Sequence, residues 1–147
     1  MILKLEQHTA QKDVEVLVTY PSRNKTVERI VTLLKSVNAQ IECYSDDDVK
    51  YINVSDIYYI ESVEKTALVF CEKQNYRSKF RLYQLNEKLT GKGFIQISKY
   101  CILNINKLEK IKPLFNSRME AILSNGSRLD VTRKYLSGIK RILQENE

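Results

Sequence analysis

The chain carries one histidine, His8, close to its N-terminus. Serine or cysteine nucleophiles therefore lack an obvious base. The three cysteines, Cys43, Cys71 and Cys101, form no CxxC pair. Ligand spacing for a structural zinc ion is missing as well. An odd number of unpaired thiols reads as buried, reduced cysteine in a cytosolic protein. Apolar runs are about four residues long, far short of the roughly 20 that a membrane-spanning helix needs. The N-terminus, "MILKLEQH", has no long apolar core and no small-residue cleavage site, so no secretory signal is expected. "TGKGF" (90–94) holds glycine and lysine but not the GxxxxGK[ST] spacing that cradles phosphate. "SDDDV" (45–49) lacks the downstream ligands of an EF-hand and reads as a solvated acidic turn. No enzyme, metal site or cofactor is expected.

What the chain does have is positive charge in one stretch. Its 147 residues suffice for one domain with a real core, and 43% hydrophobic against 29% charged residues is a globular balance. The formal net charge is +6. Residues 1–43 carry 6 Lys/Arg against 5 Asp/Glu. Residues 65–141 carry 17 against 5, a net +12. Such a stretch points to a polyanionic partner, nucleic acid ahead of a membrane surface. The competing reading is a lysine-rich solvated surface.

The first part reads as a small β-β-α extension over residues 1–43. "VEVLVTY" (14–20) has strand composition, and Pro21 and Ser22 end it. "NKTVERIVTLLKSV" (24–37) spaces Val27, Ile30, Val31, Leu34 and Val37 as a helix. From residue 41 short strands dominate: "IECYS", "VKYINV", "IYYIES", "ALVFCE", "QNYRSKF", "FIQIS", "YCILNI", "LEKIKPL", "RMEAIL" and "RLDV". "SNGS" (124–127) holds the Asn-Gly hairpin signal, and "LFNSR" is a second turn. Leu82, Leu85 and Leu89 mark one intervening helix, closed by Gly91. The expected class is mainly antiparallel β with short helices. Tyrosines 58, 59 and 76 and Phe94 sit among apolar strand neighbours, so packing is their default role.

The last segment, "VTRKYLSGIKRIL" (131–143), reads as a strand end, an N-cap at Thr132 and an amphipathic helix on Tyr135, Leu136, Ile139, Ile142 and Leu143. Arg133 and Lys134 then fall in its first turn, where the helix dipole is positive and a cation costs about 0.3–1 kcal/mol. Either both side chains simply point to solvent, or they serve a phosphate-rich partner at a helix N-terminus.

Three stretches together resemble the signature segments of the LytTR DNA-binding domain of bacterial transcription regulators. They are "VSDIYYIESVEKTALVF" (54–70), "FIQISKYCILNINKLEKI" (94–111) and "AILSNGSRLDVTRKYLSGIKRIL" (121–143), in the family's order and spacing. The resemblance implies elongated antiparallel sheets over residues 44–147, with loops rather than a recognition helix entering successive major grooves of double-stranded DNA. By position it assigns contacts to Glu64, Lys65, Thr66 and Ala67, to Ser98, Lys99 and Tyr100, and to Arg133 with Lys134. Ala67 stands where some members have a polar side chain, and "SKY" stands where triplets such as "HRS" are common.

The resemblance further implies a cytoplasmic, stand-alone member without a receiver domain. Such members bind paired repeat sites, form homodimers and are often restrained by a small membrane protein. The extension 1–43 is then the candidate for dimerisation or for that restraint. Two other readings are a LytTR-like protein-interaction module that titrates a partner, and an RNA or single-strand binder.

Overall fold

The computed structural model describes residues 1–145; the last two residues of the domain expected over 44–147 lie outside the described residues. The first regular element is α1 (Lys25–Ser36). Asn24 caps it, its Oδ1 accepting from the Val27 amide at 3.0 Å, which satisfies one of the orphan donors of a helix start. Residues 14–20 join no strand. Their alternation is strand-like, but Val14 and Leu17 stand in solvent and no sheet edge takes them. The β-β part of the expected β-β-α extension is therefore not formed ahead of the helix. The α1 stripe is only partly covered. Val27 is buried, whereas Leu34 and Val37 are 40% and 56% exposed.

Ten strands follow: β1 (Gln40–Ser45), β2 (Asp48–Asn53), β3 (Tyr59–Val63), β4 (Thr66–Phe70), β5 (Asn75–Ser78), β6 (Phe94–Ser98), β7 (Cys101–Asn104), β8 (Leu108–Pro113), β9 (Met119–Leu123) and β10 (Arg128–Val131). Each sits on one of the ten short runs read from the sequence. Seven form one sheet in the order β2-β1-β5-β4-β3-β7-β6, and three form a second in the order β10-β9-β8. Every pairing is antiparallel; tight turns suffice for neighbours consecutive in sequence, whereas β1–β5 and β3–β7 pair across intervening elements. The strand β1 runs across residue 43, the expected end of the extension, and its Tyr44 pairs with Arg77 of β5.

Two cores share the larger sheet. One lies beneath α2 (Leu82–Lys88), where Leu85 and Leu89 meet Ile41, Ile57, Ile60 and Val69. The other joins β6 and β7 to the second sheet and to α3 (Leu136–Glu145) through Ile97, Leu103, Leu123, Val131 and Ile139. Helix α3 approaches closely because Gly138 faces Ile95; a Cβ there would lie 3.3 Å from the Ile95 Cδ1. Buried Asn104 ties the end of β7 to the segment before β3 and to the turn that follows it. Its Nδ2 donates to the Ile57 carbonyl at 2.8 Å and its Oδ1 accepts from the Asn106 amide at 3.0 Å, so this buried polar group is fully partnered. No helix among the described residues is long and apolar enough to cross a membrane.

Candidate nucleic-acid interface

The β3–β4 turn has two residues, Glu64 and Lys65, at φ of +51° and +70°. Two successive left-handed residues make the hairpin turn whose twist matches its strands. Side chains other than Gly, Asn and Asp seldom sit there, so the pair is held from outside. The Arg81 guanidinium does this, donating from Nη1 to the Lys65 carbonyl at 2.8 Å. Lys65 projects into solvent, Thr66 is half-buried, and Ala67 is only 1% exposed. Ala67 therefore lies in the core and cannot meet a groove, against the assignment by position.

The β6–β7 turn is joined to this hairpin by the backbone. The Ser62 amide donates to the Tyr100 carbonyl at 2.8 Å. A register shift between Gln96 and Ser98 lifts the turn out of the regular ladder. Lys99 and Tyr100 are exposed at its tip, with the Lys99 ammonium 5.4 Å from the Tyr100 ring centre. Ser98 is half-buried, and its hydroxyl accepts from the Tyr100 amide at 3.4 Å. Lys65, Arg81, Lys99 and Tyr100 line one depression, together with Tyr83 and Asn86. Glu64, exposed beside Lys65, brings one opposing charge.

Arg133 and Lys134 do not line that depression, although they adjoin its strands. The Thr132 amide donates to the Ile97 carbonyl at 3.0 Å, which pins the β10–α3 junction beside the end of β6. Thr132 is extended and makes no side-chain cap. Residues Arg133–Tyr135 wind as a 3-10 turn before α3 begins at Leu136, so the expected N-cap at Thr132 opens that turn rather than the α-helix. Arg133 is exposed and donates from Nη2 to the Asn116 carbonyl at 3.0 Å. A guanidinium has five N–H donors, so this bond leaves most of its fork for a ligand. Lys134 is exposed, its ammonium 5.7 Å from the Tyr135 ring centre.

Arg81 and Tyr83 were not visible as site residues in the sequence. One signal for Arg81 was present: a cation at a helix start, the same oddity that marks Arg133. Arg81 occupies the N-cap of α2, where a side-chain oxygen would stabilise the helix by about 0.5–2 kcal/mol over a residue with none to offer. Its hold on the Lys65 turn accounts for the choice. The thiols offer no competing chemistry. Burial pushes the Cys43 and Cys101 pKa values up to about 12 and that of Cys71 to about 11, so all three stay protonated and unreactive near neutrality.

Known proteins share this pattern. A family model described as the LytTr DNA-binding domain matches residues 47–144. The sensory transduction protein LytT of Enterococcus faecalis is 31% identical over 103 residues, which is 70% of this chain and 43% of that protein. The chain thus spans less than half the length of that relative. An HTH-type transcriptional regulator of Staphylococcus aureus is 28% identical over 146 residues, 97% of this chain and 99% of that one. A solved LytTr DNA-binding domain from Bacillus cereus superposes with a TM-score of 0.68 at 24% identity, covering 72% of this chain and 97% of that domain. The last of these establishes a common fold. With the family model covering most of the chain, the protein belongs to the LytTR DNA-binding domain family.

Proposed function

We propose that this protein is a cytoplasmic transcription regulator that reads double-stranded DNA with turns placed in the major groove. The observation that carries the reading is the joining of two sequence-distant basic turns into one surface, through the Ser62–Tyr100 and Arg81–Lys65 hydrogen bonds. Lys65, Arg81 and Lys99 anchor phosphates there, and Arg133 with Lys134 forms the second contact. No two helices among the described residues are joined by a short turn. Strands separate α1, α2 and α3, which supports reading by turns rather than by a helix-turn-helix. Selection of bound duplexes from a random library tests this. One enriched motif, occurring as a repeat, is expected; no enrichment over a control pool would refute it, and a preference for single strands would move the protein to another class.

The extension supports a paired-site reading. Ile2, Leu3, Leu5, Val14 and Leu17 are each more than four-fifths exposed, and Leu33 of α1 and Val37 just after it are also open. These residues suit a second protomer, bound side by side on a repeat, or a small membrane protein that restrains the regulator. Removal of residues 1–20, which leaves α1 and its cap intact, should preserve affinity for one half-site. It should lower affinity for the paired site by ~100-fold, the scale of an effective-concentration effect. Titration of one-site and two-site duplexes checks this, and equal loss on both would place residues 1–20 in the DNA contact instead.

A further inference from the structure

The β8–β9 turn carries the most exposed aromatic ring of the chain, Phe115, at 92%. The turn is built rather than loose. Asn116 and Ser117 are successive left-handed residues, at φ of +64° and +59°. The Leu114 amide closes the turn onto the Arg118 carbonyl at 2.9 Å. Arg133 fixes it from outside through the Asn116 carbonyl at 3.0 Å. A tip held in this way presents Phe115 at a defined place next to the Arg133 guanidinium. The surroundings are cationic, since Lys112, Arg118, Arg133 and Lys134 are all exposed. A phenylalanine so bare gains nothing for the fold, and an exposed ring on a turn whose flanks and clamp carry cations suits a polyanion with apolar faces between its charges. Duplex DNA has that composition: phosphates outside and stacked bases within. Phenylalanine is among the side chains that wedge against base steps.

We propose that the β8–β9 turn is a further DNA-binding element, in which Phe115 packs against a base step beside the contact made by Arg133. This rests on the duplex-binding reading. Arg133 then acts twice, holding the tip through one N–H and meeting the DNA with the rest of its fork.

The test titrates full-length protein, Phe115→Ala and Phe115→Trp against a duplex recovered by selection. The duplex carries 2-aminopurine at successive positions. Phe115→Ala should weaken binding roughly tenfold, within the range of base–aromatic stacking, and should abolish the fluorescence change at one step. Phe115→Trp should keep both. Equal affinity of Phe115→Ala and wild type overturns the proposal and leaves the duplex reading standing. A wild-type protein that binds no duplex overturns both. Sedimentation of the free proteins closes the remaining route: if Phe115→Ala changes the association state, Phe115 serves a protein contact and the proposal falls.

Discussion

Raising salt from about 50 to 200 mM should weaken binding of the selected duplex by roughly 500-fold. The exposed cations at the three turns are Lys65, Arg81, Lys99, Arg133 and Lys134. If each neutralises one phosphate, about five condensed counterions leave the DNA per protomer, and log K falls against log salt with a slope of about −4.5. Arg81 and Arg133 each spend one N–H on a backbone carbonyl, and none of the five gives its charge to a carboxylate among the described residues. The ion pairs among the described residues lie elsewhere, at Arg23–Glu28, Lys79–Glu42 and Arg128–Glu120, with His8–Glu6 near the N-terminus. None must be broken to bind phosphate at the turns. Isothermal titration or anisotropy at four salt concentrations gives the slope directly. A slope near zero would mean that the net +12 of residues 65–141 is ordinary solvated surface. It would also return the chain to the protein-interaction reading.

The strands were legible because each is a short Ile/Val/Tyr/Phe run bounded by polar turns, and each finds its antiparallel neighbour next in sequence or nearly so. Residues 14–20 show the limit of that reading. Their alternation is as good as that of β3, but a strand exists only where an edge accepts its hydrogen bonds, and local pattern does not show whether one does. The α1 spacing likewise predicts the helix and not its burial, since a stripe says nothing of what covers it. Lys65, Lys99 and Arg133 came out of the family pattern and are exposed. Their grouping did not, because it depends on the Ser62–Tyr100 and Thr132–Ile97 hydrogen bonds, which join distant segments. Position in the sequence places Ala67 beside Thr66 at the turn, but the strand period turns its side chain inward. Arg81 is hidden in the sequence because the Leu82, Leu85 and Leu89 stripe accounts for its helix without it.

Arg133→Ala should cost DNA affinity about 1–3 kcal/mol, up to ~100-fold, with little change in the melting temperature. Two effects on the free protein oppose each other. The bond to the Asn116 carbonyl is lost, at about 0.5–1.5 kcal/mol for a typical hydrogen bond and less where water can replace it. A cation leaves the positive end of α3, which returns about 0.3–1 kcal/mol. The sum is near zero, and Arg133 is exposed outside the stripe that Ile139 anchors in the core. In the complex nothing offsets the loss. If the guanidinium reads a guanine edge, discrimination at one base pair relaxes while scrambled duplexes bind as before. If it meets only phosphate, affinity falls alike on every sequence and the salt slope shrinks by about one unit. The Asn116 bond adds a diagnostic: Arg133→Lys keeps the charge but loses the planar fork that can hold the turn and the DNA together, so it should restore the salt slope and not the base preference. Titrations of the three proteins against cognate and scrambled duplexes, with thermal melts of each, separate the cases. Unchanged affinity in Arg133→Ala would remove the β10–α3 junction from the interface, and a collapsed melt would make Arg133 a structural clamp on the β8–β9 turn.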